Sequence, residues 1–369
     1  MKITILQSNF AKALNQVGRI VSARTTLPVL ANILISAKKG KIRFSATDLE
    51  IGITTQAIGK VDEEGEITLP ARLLSDFILN NNEESIVLSV KETKANLKSE
   101  RFEANISGIL AEEFPTLPEI AEETFCQIKR EDVIESLRKV AIAPATDETR
   151  PVLAGIYFQF EDENLVLAAT DSYRLAEKKL KLAKSVEAKK ILVPGRTVNE
   201  VLRLAAGLSK EEDISILAAD NQISFKLGGT TIVSRVIEGA FPAYSQIIPE
   251  SFKMTAEMAL SELQSAVKMS SYFAKDSANN NIKVVLSEKE VVIASVTSQA
   301  GDASSKVAAE VSGGEIEIAF NARYVMDVLQ VLSGEKVLMK FNDAASSGVI
   351  TDPKEKDYVY IIMPLKLDN

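Results

Sequence analysis

Residues 69–78 read LPARLLSDFI, and the same pattern returns as VPGRTVNEVL at 193–202 and as FNARYVMDVL at 320–329. Each copy has an arginine in the same position, an acid four residues later and two apolar residues after the acid. The arginines are Arg72, Arg196 and Arg323, and the acids are Asp76, Glu200 and Asp327. Apolar residues at helical spacing predict a helix in every copy. A period of about 125 residues predicts that the chain consists of three similar units.

Other landmarks keep the same phase along the chain. EEFPTLPEI at 112–120 corresponds to GAFPAYSQIIP at 239–249, and VYIIMPLKL at 359–367 ends the third unit. A second helix is predicted near the start of each unit. These helices are expected at 8–23, 130–143 and 260–274.

The segments between the helices are short, alternating and rich in β-branched residues, which is typical of antiparallel strands. The continuous apolar runs LPVLANILI at 27–35 and RPVLAGIYF at 150–158 are also predicted as strands. Gly228 and Gly229 are predicted as a hairpin turn. The sequence therefore predicts an α+β fold of three units, at 1–121, 122–249 and 250–369.

The composition excludes most familiar catalytic designs. The chain contains no histidine and a single cysteine, Cys126, so it lacks the imidazole of nucleophile triads and the ligands of common zinc sites. It has no GxxxxGK[ST] phosphate loop. We expect no cofactor, no metal ion and no catalytic site. No apolar run is long enough for a signal peptide or a membrane span, which predicts a cytoplasmic protein.

The positive charge is concentrated in the predicted helices although the chain has a net charge of −8. The segments 8–24, 69–80, 129–143, 193–208, 260–275 and 320–332 hold 13 Lys and Arg against 7 Asp and Glu, and the rest holds 30 against 44. One interpretation is that the repeated arginine and acid form i,i+4 pairs on solvated faces. The other is that the helices share a face that binds a phosphate backbone without reading bases. The charge count does not decide between them.

Three sequence motifs show a family resemblance that covers the whole chain. TDSYRLA at 170–176, FPAYSQIIP at 241–249 and IIMPLKL at 361–367 resemble those of the bacterial DNA polymerase III beta subunit, the beta sliding clamp. The resemblance implies three DNA-clamp domains per chain, each with two helices packed on antiparallel sheets. Two chains would form a closed ring, each supplying half, around double-stranded DNA of any sequence. The ring would tether the polymerase and so raise its effective concentration near the DNA. It would not act as an enzyme.

The resemblance also implies protein partners. They are the DNA polymerase III catalytic subunit, an ATP-driven clamp loader, and other polymerases and repair factors, which dock by a short linear peptide. The matching pocket residues are Leu153, Thr170, Ser172, Tyr173, Arg174, Leu175, Pro242, Ile247, Asn321, Tyr324, Ser347, Ile361, Met363, Pro364 and Leu365. They belong to the second and third units. Many family members carry Gly-His in place of Ser172 and Tyr173, so the location of the pocket is better defined than its specificity.

Two further sets of residues follow from the resemblance. The residues expected to face DNA are Arg24, Arg72, Arg150, Arg196, Arg203, Lys12, Arg138 and Lys268. The residues expected at the dimer interface are Phe102 and Ile106 on one side, and Tyr272 and Phe273 on the other. For each of the interface residues, ordinary core packing is the alternative interpretation.

Two other functions remain open from the residues alone. A magnesium-dependent phosphoesterase would use carboxylates, and it would lose turnover when Asp171 is replaced. A protein-only repeat scaffold would be monomeric and would not associate with DNA.

Overall fold

The computed structural model describes residues 1–21, 27–118, 125–147, 149–219, 221–274, 280–295 and 301–366. Within these ranges lie six α-helices, each of which begins directly after a β-strand. The helices are α1 (Gln7–Val17), α2 (Ala71–Leu79), α3 (Arg130–Val140), α4 (Gly195–Ala205), α5 (Leu260–Ala274) and α6 (Ala322–Val331).

The strands are short, with the exception of two long ones in the middle of the chain. In the first third of the chain they are β1 (Lys2–Leu6), β2 (Asn32–Lys38), β3 (Lys41–Thr47), β4 (Ile51–Ala57), β5 (Gly59–Glu63), β6 (Gly65–Pro70), β7 (Ser85–Lys91), β8 (Lys94–Lys98) and β9 (Glu103–Ser107). The next are β10 (Cys126–Lys129), β11 (Gly155–Thr170), β12 (Arg174–Pro194), β13 (Asp213–Ala218), β14 (Gln222–Leu227) and β15 (Thr230–Arg235). The last are β16 (Met254–Ala259), β17 (Asn281–Ser287), β18 (Glu290–Ser295), β19 (Ser304–Ser312), β20 (Ile316–Asn321), β21 (Lys336–Phe341), β22 (Gly348–Thr351) and β23 (Tyr358–Ile362).

Helix burial follows the apolar spacing of the sequence. In α1 the buried residues are Phe10, Ala13, Leu14 and Val17, at i, i+3, i+4 and i+7 on one face. This face packs on β3 and β4. Because the other side of the helix is polar, Lys12 is exposed.

The chain forms two compact units. The first contains Met1–Glu131 and Asn199–Val236. It has a five-stranded sheet in the order β5-β1-β7-β8-β9 and an eight-stranded sheet in the order β10-β13-β14-β15-β4-β3-β2-β6, and the pairs in both are antiparallel. The eight-stranded sheet joins distant parts of the sequence where β15 pairs with β4. There, the hydroxyls of Thr55 and Thr230 are 2.9 Å apart.

The second unit contains Asp132–Val198 and Ile237–Asn369. Its ten strands follow the order β11-β12-β23-β22-β21-β16-β19-β18-β17-β20. The long hairpin of β11 and β12 continues into β23, where Leu175 lies opposite Ile361. Strand β19 has two halves: residues 309–312 pair with β16, and residues 304–308 pair with β18.

The predicted α+β class and the repeated units of helices and antiparallel strands are confirmed. The hairpin at Gly228 and Gly229 is also confirmed, because these residues join β14 to β15 and Gly228 has a φ of +57°. One prediction is wrong in part. The PVLA segments at 28–31 and 151–154 are short 3₁₀ helices, and the strands begin only at Asn32 and Gly155. The boundaries at 121/122 and 249/250 stay a prediction.

Candidate peptide-binding pocket

Two short polar side chains build the turn between β11 and β12. The Thr170 hydroxyl donates to the carbonyl of Arg174 at 2.6 Å and accepts from the N–H of Ser172 at 3.1 Å. One carboxylate oxygen of Asp171 accepts from the N–H groups of Tyr173 and Arg174, both at 2.9 Å. Ser172 has a φ of +78°, which Asx and Ser/Thr turns accommodate. The turn therefore holds Tyr173 outward, and this residue is 59% exposed.

Arg174 is buried at the base of this turn. Its Nε donates to Asp171 at 3.0 Å, its Nη1 donates to Asp327 on α6 at 2.5 Å, and its guanidinium carbon lies 4.2 Å from the centre of the Tyr324 ring. Burial by itself would lower the pKa of Arg174. Interactions with Tyr360, Asp327 and Asp171 outweigh burial and raise this pKa above its usual value. The guanidinium is thus a permanent cation paired with two carboxylates.

The C-terminal tail lies beside the same turn. The N–H of Met363 donates to the carbonyl of Tyr173 at 2.8 Å, and the N–H of Leu365 donates to the carbonyl of Ala319 at 2.8 Å. Met363 is 40% exposed. These backbone bonds place two predicted pocket residues, Tyr173 and Met363, next to each other.

The segment 241–248 is also attached to the long hairpin of β11 and β12. The Tyr244 hydroxyl donates to Glu177 on β12 at 2.6 Å, and the ring of Phe241 stacks on Tyr157 with centroids 5.0 Å apart. Burial, and then the hydrogen bond to Glu177, raise the pKa of Tyr244 above its usual value. Tyr244 is buried, whereas Ile247 is 51% exposed.

A small apolar cluster lies beneath these segments. Its buried members are Ala168, Leu175, Tyr244, Val349 and Ile361. Two predicted pocket residues, Leu175 and Ile361, are 3% and 1% exposed and so can form only the floor of a pocket. The exposed apolar surface comes from Tyr173, Ile247 and Met363.

The other predicted pocket residues also lie in the second compact unit. Leu153 is buried in the 3₁₀ helix before β11, and Ser347 is half-buried before β22. Asn321 caps α6, because its side chain accepts the N–H of Arg323 at 2.9 Å. Pro242 is exposed and Pro364 is half-buried. Their contact with a ligand stays a prediction.

Arg150 lies at the edge of the turn. Its Nη1 donates to the Ser172 hydroxyl at 3.3 Å. The family resemblance predicts that Arg150 faces DNA, which stays a prediction, and it does not associate Arg150 with the pocket. Its position directly before the segment that contains Leu153 was the sequence signal that Arg150 could border the pocket.

Most side chains expected to face DNA are exposed on helices. These are Lys12 on α1, Arg72 on α2, Arg138 on α3, Arg196 on α4 and Lys268 on α5. Arg24 lies outside the described residues. A role of these side chains in DNA binding stays a prediction.

Arg203 has a structural use within the first unit. Its guanidinium binds Glu200 at 2.6 Å and donates to the carbonyls of Asn15 and Gln16 near the end of α1, at 3.1 and 2.8 Å. A cation is favourable at a helix C-terminus, where carbonyl groups lack helical partners. Arg203 therefore offers less charge to an external phosphate than the exposed arginines do.

The residues expected at the dimer interface differ in exposure. Phe102 is 47% exposed beside β9, and Tyr272 is 52% exposed on α5. Phe273 is half-buried. Ile106 is 3% exposed, because β9 directs it into its own unit, so it can support the β9 edge but contribute little contact area.

Metal clusters and membrane-spanning helices are both absent from the described residues. They contain no group of three or more His, Cys, Asp or Glu that could hold a metal ion. No helix in the described ranges is both long and apolar enough to cross a membrane. The thiol of Cys126 is buried, and burial raises its pKa to about 12.

Comparison with known proteins places the chain in a family. Residues 1–118, 127–243 and 245–366 match the N-terminal, central and C-terminal domains of the DNA polymerase III beta subunit. The chain belongs to the DNA polymerase III beta subunit family. The beta sliding clamp of Staphylococcus epidermidis is 30% identical over 99% of both chains.

Solved structures of this family have the same fold. The DNA polymerase sliding clamp of Bacillus subtilis is 27% identical, with a TM-score of 0.94 over the full length of both chains. A Pseudomonas aeruginosa sliding clamp bound to griselimycin is also 27% identical over both full lengths, with a TM-score of 0.93. The predicted family and its sliding-clamp function are confirmed. These relatives support neither the phosphoesterase nor the protein-only scaffold.

Proposed function

We propose that this protein works as a homodimeric ring that encircles double-stranded DNA and tethers the replicative polymerase to it. The observation that carries the proposal is the succession of three beta-subunit domains over nearly the whole chain. A closed ring is held on DNA by its topology, so sliding requires no sequence recognition. Tethering gives the polymerase a high effective concentration at the primer end.

The charge distribution supports a surface for the phosphate backbone. Exposed cations lie on α1 to α5, whereas the chain as a whole is acidic. Spread lysine and arginine side chains attract phosphate without sequence preference, and a modest excess keeps the direct contact weak and mobile. We assign this role to Lys12, Arg72, Arg138, Arg196 and Lys268, and to Arg24 by the resemblance.

Two strand edges support the homodimer. In the described residues, β9 pairs only with β8, and residues 304–308 of β19 pair only with β18. Unpaired edges expose backbone groups that another strand can bind. We propose that β9 of one protomer pairs with this half of β19 in its partner, with Phe102 packed near Tyr272 and Phe273. A head-to-tail contact of this kind closes into a ring when the rotation permits.

We propose that partners insert a short apolar peptide into the pocket of the second compact unit. Among these partners are the polymerase catalytic subunit and the clamp loader. Tyr173, Ile247 and Met363 offer exposed apolar surface above a buried floor. Aromatic and methionine side chains are enriched where proteins recognise one another. Arg150 borders the same turn and adds a positive group there.

The test is retention on a nicked circular DNA. The protein is loaded with its cognate clamp loader and ATP, free protein is removed, and the circle is then cut at one site. We expect retention on the circle and loss from the linear product, because a ring can slide off a free end. Retention on linear DNA would show direct gripping and would contradict the ring.

A variant separates the ring from general DNA affinity. Phe102→Arg places a charge on a half-exposed residue at the proposed interface, so the fold should persist. We expect this variant to sediment as a monomer and to be lost even from the uncut circle. A dimeric Phe102→Arg protein would move the interface elsewhere.

A further inference from the structure

The acid of the repeated helix motif has a different partner in each copy. Asp76 is 67% exposed and lies 4.0 Å from Arg72, and Glu200 binds Arg203 at 2.6 Å. Asp327, in contrast, binds Arg174, which is 153 residues away in the sequence, at 2.5 Å. The third copy therefore uses this acid to hold a distant segment of the chain.

Arg174 connects the turn to helix α6. Its side chain is 6% exposed, and it makes bonds to Asp171 in the turn and to Asp327 on the helix. It also lies against the ring of Tyr324, one helical turn before Asp327. The turn and the ring thus share a single buried cation.

Strand β23 completes this arrangement. The hydroxyl of Tyr360, which is 0% exposed, donates to the carbonyl of Tyr324 at 2.9 Å. The chain then continues to Met363, whose N–H binds the carbonyl of Tyr173. The segments that supply Tyr173, Tyr324 and Met363 are therefore mutually fixed around Arg174.

We propose that Asp327 is a positioning residue of the peptide pocket. It acts through Arg174 to hold Tyr324 and the 170–174 turn in the arrangement that binds a peptide, and it does not itself contact the peptide. The proposal rests on the peptide-binding function proposed above. Preorganised walls reduce the ordering that a ligand would otherwise impose.

A second consequence concerns the charge that a peptide encounters. Two carboxylates already pair with the Arg174 guanidinium, and its side chain is almost completely buried. Arg174 therefore braces the pocket and does not select acidic peptides. Asp171 binds the Nε of Arg174 and Asp327 on α6 binds its Nη1, so the two carboxylates use different N–H groups of the guanidinium.

The experiment is a double-mutant cycle on the full-length dimer. The affinity for the purified DNA polymerase III catalytic subunit of the same organism is measured for the wild type, Asp327→Asn, Arg174→Gln and the double variant. We expect Asp327→Asn to weaken binding by about tenfold. In the Arg174→Gln background, the same change should alter affinity less than twofold, because Asp327 acts through Arg174. Asp327→Glu should restore most of the affinity.

The chain offers a matched control. Asp76→Asn changes the equivalent acid of the first copy, and it should leave affinity within twofold of the wild type. Unchanged binding by Asp327→Asn would overturn the proposal. An equal loss in both backgrounds would also overturn it, because that outcome indicates a general structural role.

A pocket variant separates this proposal from the one on which it rests. If Met363→Ala with Leu365→Ala weakens binding and Asp327→Asn does not, the positioning role alone fails. If the polymerase subunit binds the Met363 and Leu365 variant as tightly as it binds the wild type, the pocket is misplaced and both proposals fail.

Discussion

The turn at residues 47–51 and the turn at residues 170–174 have the same backbone hydrogen bonds and different exposed side chains. In the first turn, Thr47 donates to the carbonyl of Ile51 at 2.9 Å and accepts from the N–H of Leu49 at 3.0 Å. Asp48 accepts two N–H groups, at 3.0 and 2.8 Å. Leu49 has a φ of +77°, within one degree of Ser172 in the second turn. Thr and Asp therefore determine the turn, and the tip is open to change.

The likeness extends to the neighbouring strand. The N–H of Arg235, at the end of β15, donates to the carbonyl of Glu50 at 3.0 Å, as the N–H of Met363 donates to the carbonyl of Tyr173. Charged Glu50 and Arg235 thus occupy the positions of apolar Tyr173 and Met363. The two copies differ in the chemistry of their rims although their frameworks agree.

The residue that closes each turn also differs. Ile51 is 2% exposed and packs as an apolar side chain, whereas Arg174 is buried as a paired cation. An apolar closing residue stabilises its own turn, but it cannot connect the turn to a carboxylate on a helix. One repeated framework can therefore become the proposed binding site by changes at three adjacent positions and at one strand end.

The largest effect should come from removing the apolar rim. Met363→Ala combined with Leu365→Ala should weaken binding of the polymerase catalytic subunit by about a hundredfold, since interface anchors contribute roughly 1–2 kcal/mol each. Surface plasmon resonance would measure the affinity. Arg235→Ala, at the position that corresponds to Met363, should have no effect.

Sedimentation velocity provides the second readout for these variants. Both should remain dimeric, because the proposed interface lies on β9, β19 and α5. Dissociation of the Met363 and Leu365 variant would place the tail at the dimer interface and not at the pocket.

A smaller effect should distinguish the two turn aspartates. Asp48→Ala removes bonds to two backbone N–H groups and should cost about 1 kcal/mol in the free energy of unfolding. Asp171→Ala removes the same bonds and one partner of a buried arginine, so we expect about 2–3 kcal/mol. Urea unfolding followed by circular dichroism would measure both. Equal losses would mean that Asp327 alone is sufficient to pair with Arg174.

The smallest effect should be the response to pH near neutrality. The chain has no histidine, so the free energy of unfolding measured in urea should change by less than about 0.5 kcal/mol between pH 6 and 8. The hydrogen bond from Lys139 lowers the pKa of Glu135. The contribution of Glu135 to the free energy of unfolding is therefore present above its unfolded pKa and is lost as pH falls through its folded pKa. Burial raises the pKa of Tyr244, so its contribution is lost as pH rises above 10.

A histidine at the pocket rim would test how strongly peptide binding responds to pH. Tyr173→His places an exposed imidazole in the 170–174 turn, whereas the 47–51 turn has none. Polymerase binding by this variant should vary less than about threefold across pH 6 to 8, because the side chain is mostly solvated. A steeper pH dependence of polymerase binding by Tyr173→His would contradict the prediction.

Local features of the fold were predictable from the sequence, and long-range pairing was not. Periodic apolar residues predicted all six helices, but α1 ends at Val17, six residues before its predicted end. The PVLA segments were assigned to strands because a short apolar run does not distinguish the two structures. Proline at the first position instead starts a 3₁₀ helix in each. Nothing in the local pattern indicates that β15 pairs with β4.

The motifs predict where the pocket lies, but its internal contacts could not be predicted. The i,i+4 interpretation holds for Arg72 and Asp76 at 4.0 Å, whereas Asp327 binds Arg174. Such a partner depends on tertiary packing and has no sequence period. Position 51 holds isoleucine where the corresponding position 174 holds arginine. This difference was the one sequence signal that Asp327 has a distinct partner.

The buried Cys126 makes the protein convenient to label. It is the only cysteine in the chain, and its thiol, with a pKa of about 12, forms almost no thiolate at neutral pH. A cysteine introduced at Ile58, which is 82% exposed, would therefore react with a maleimide dye in preference to Cys126. Each protomer could carry one fluorophore at a known position without first replacing its native cysteine.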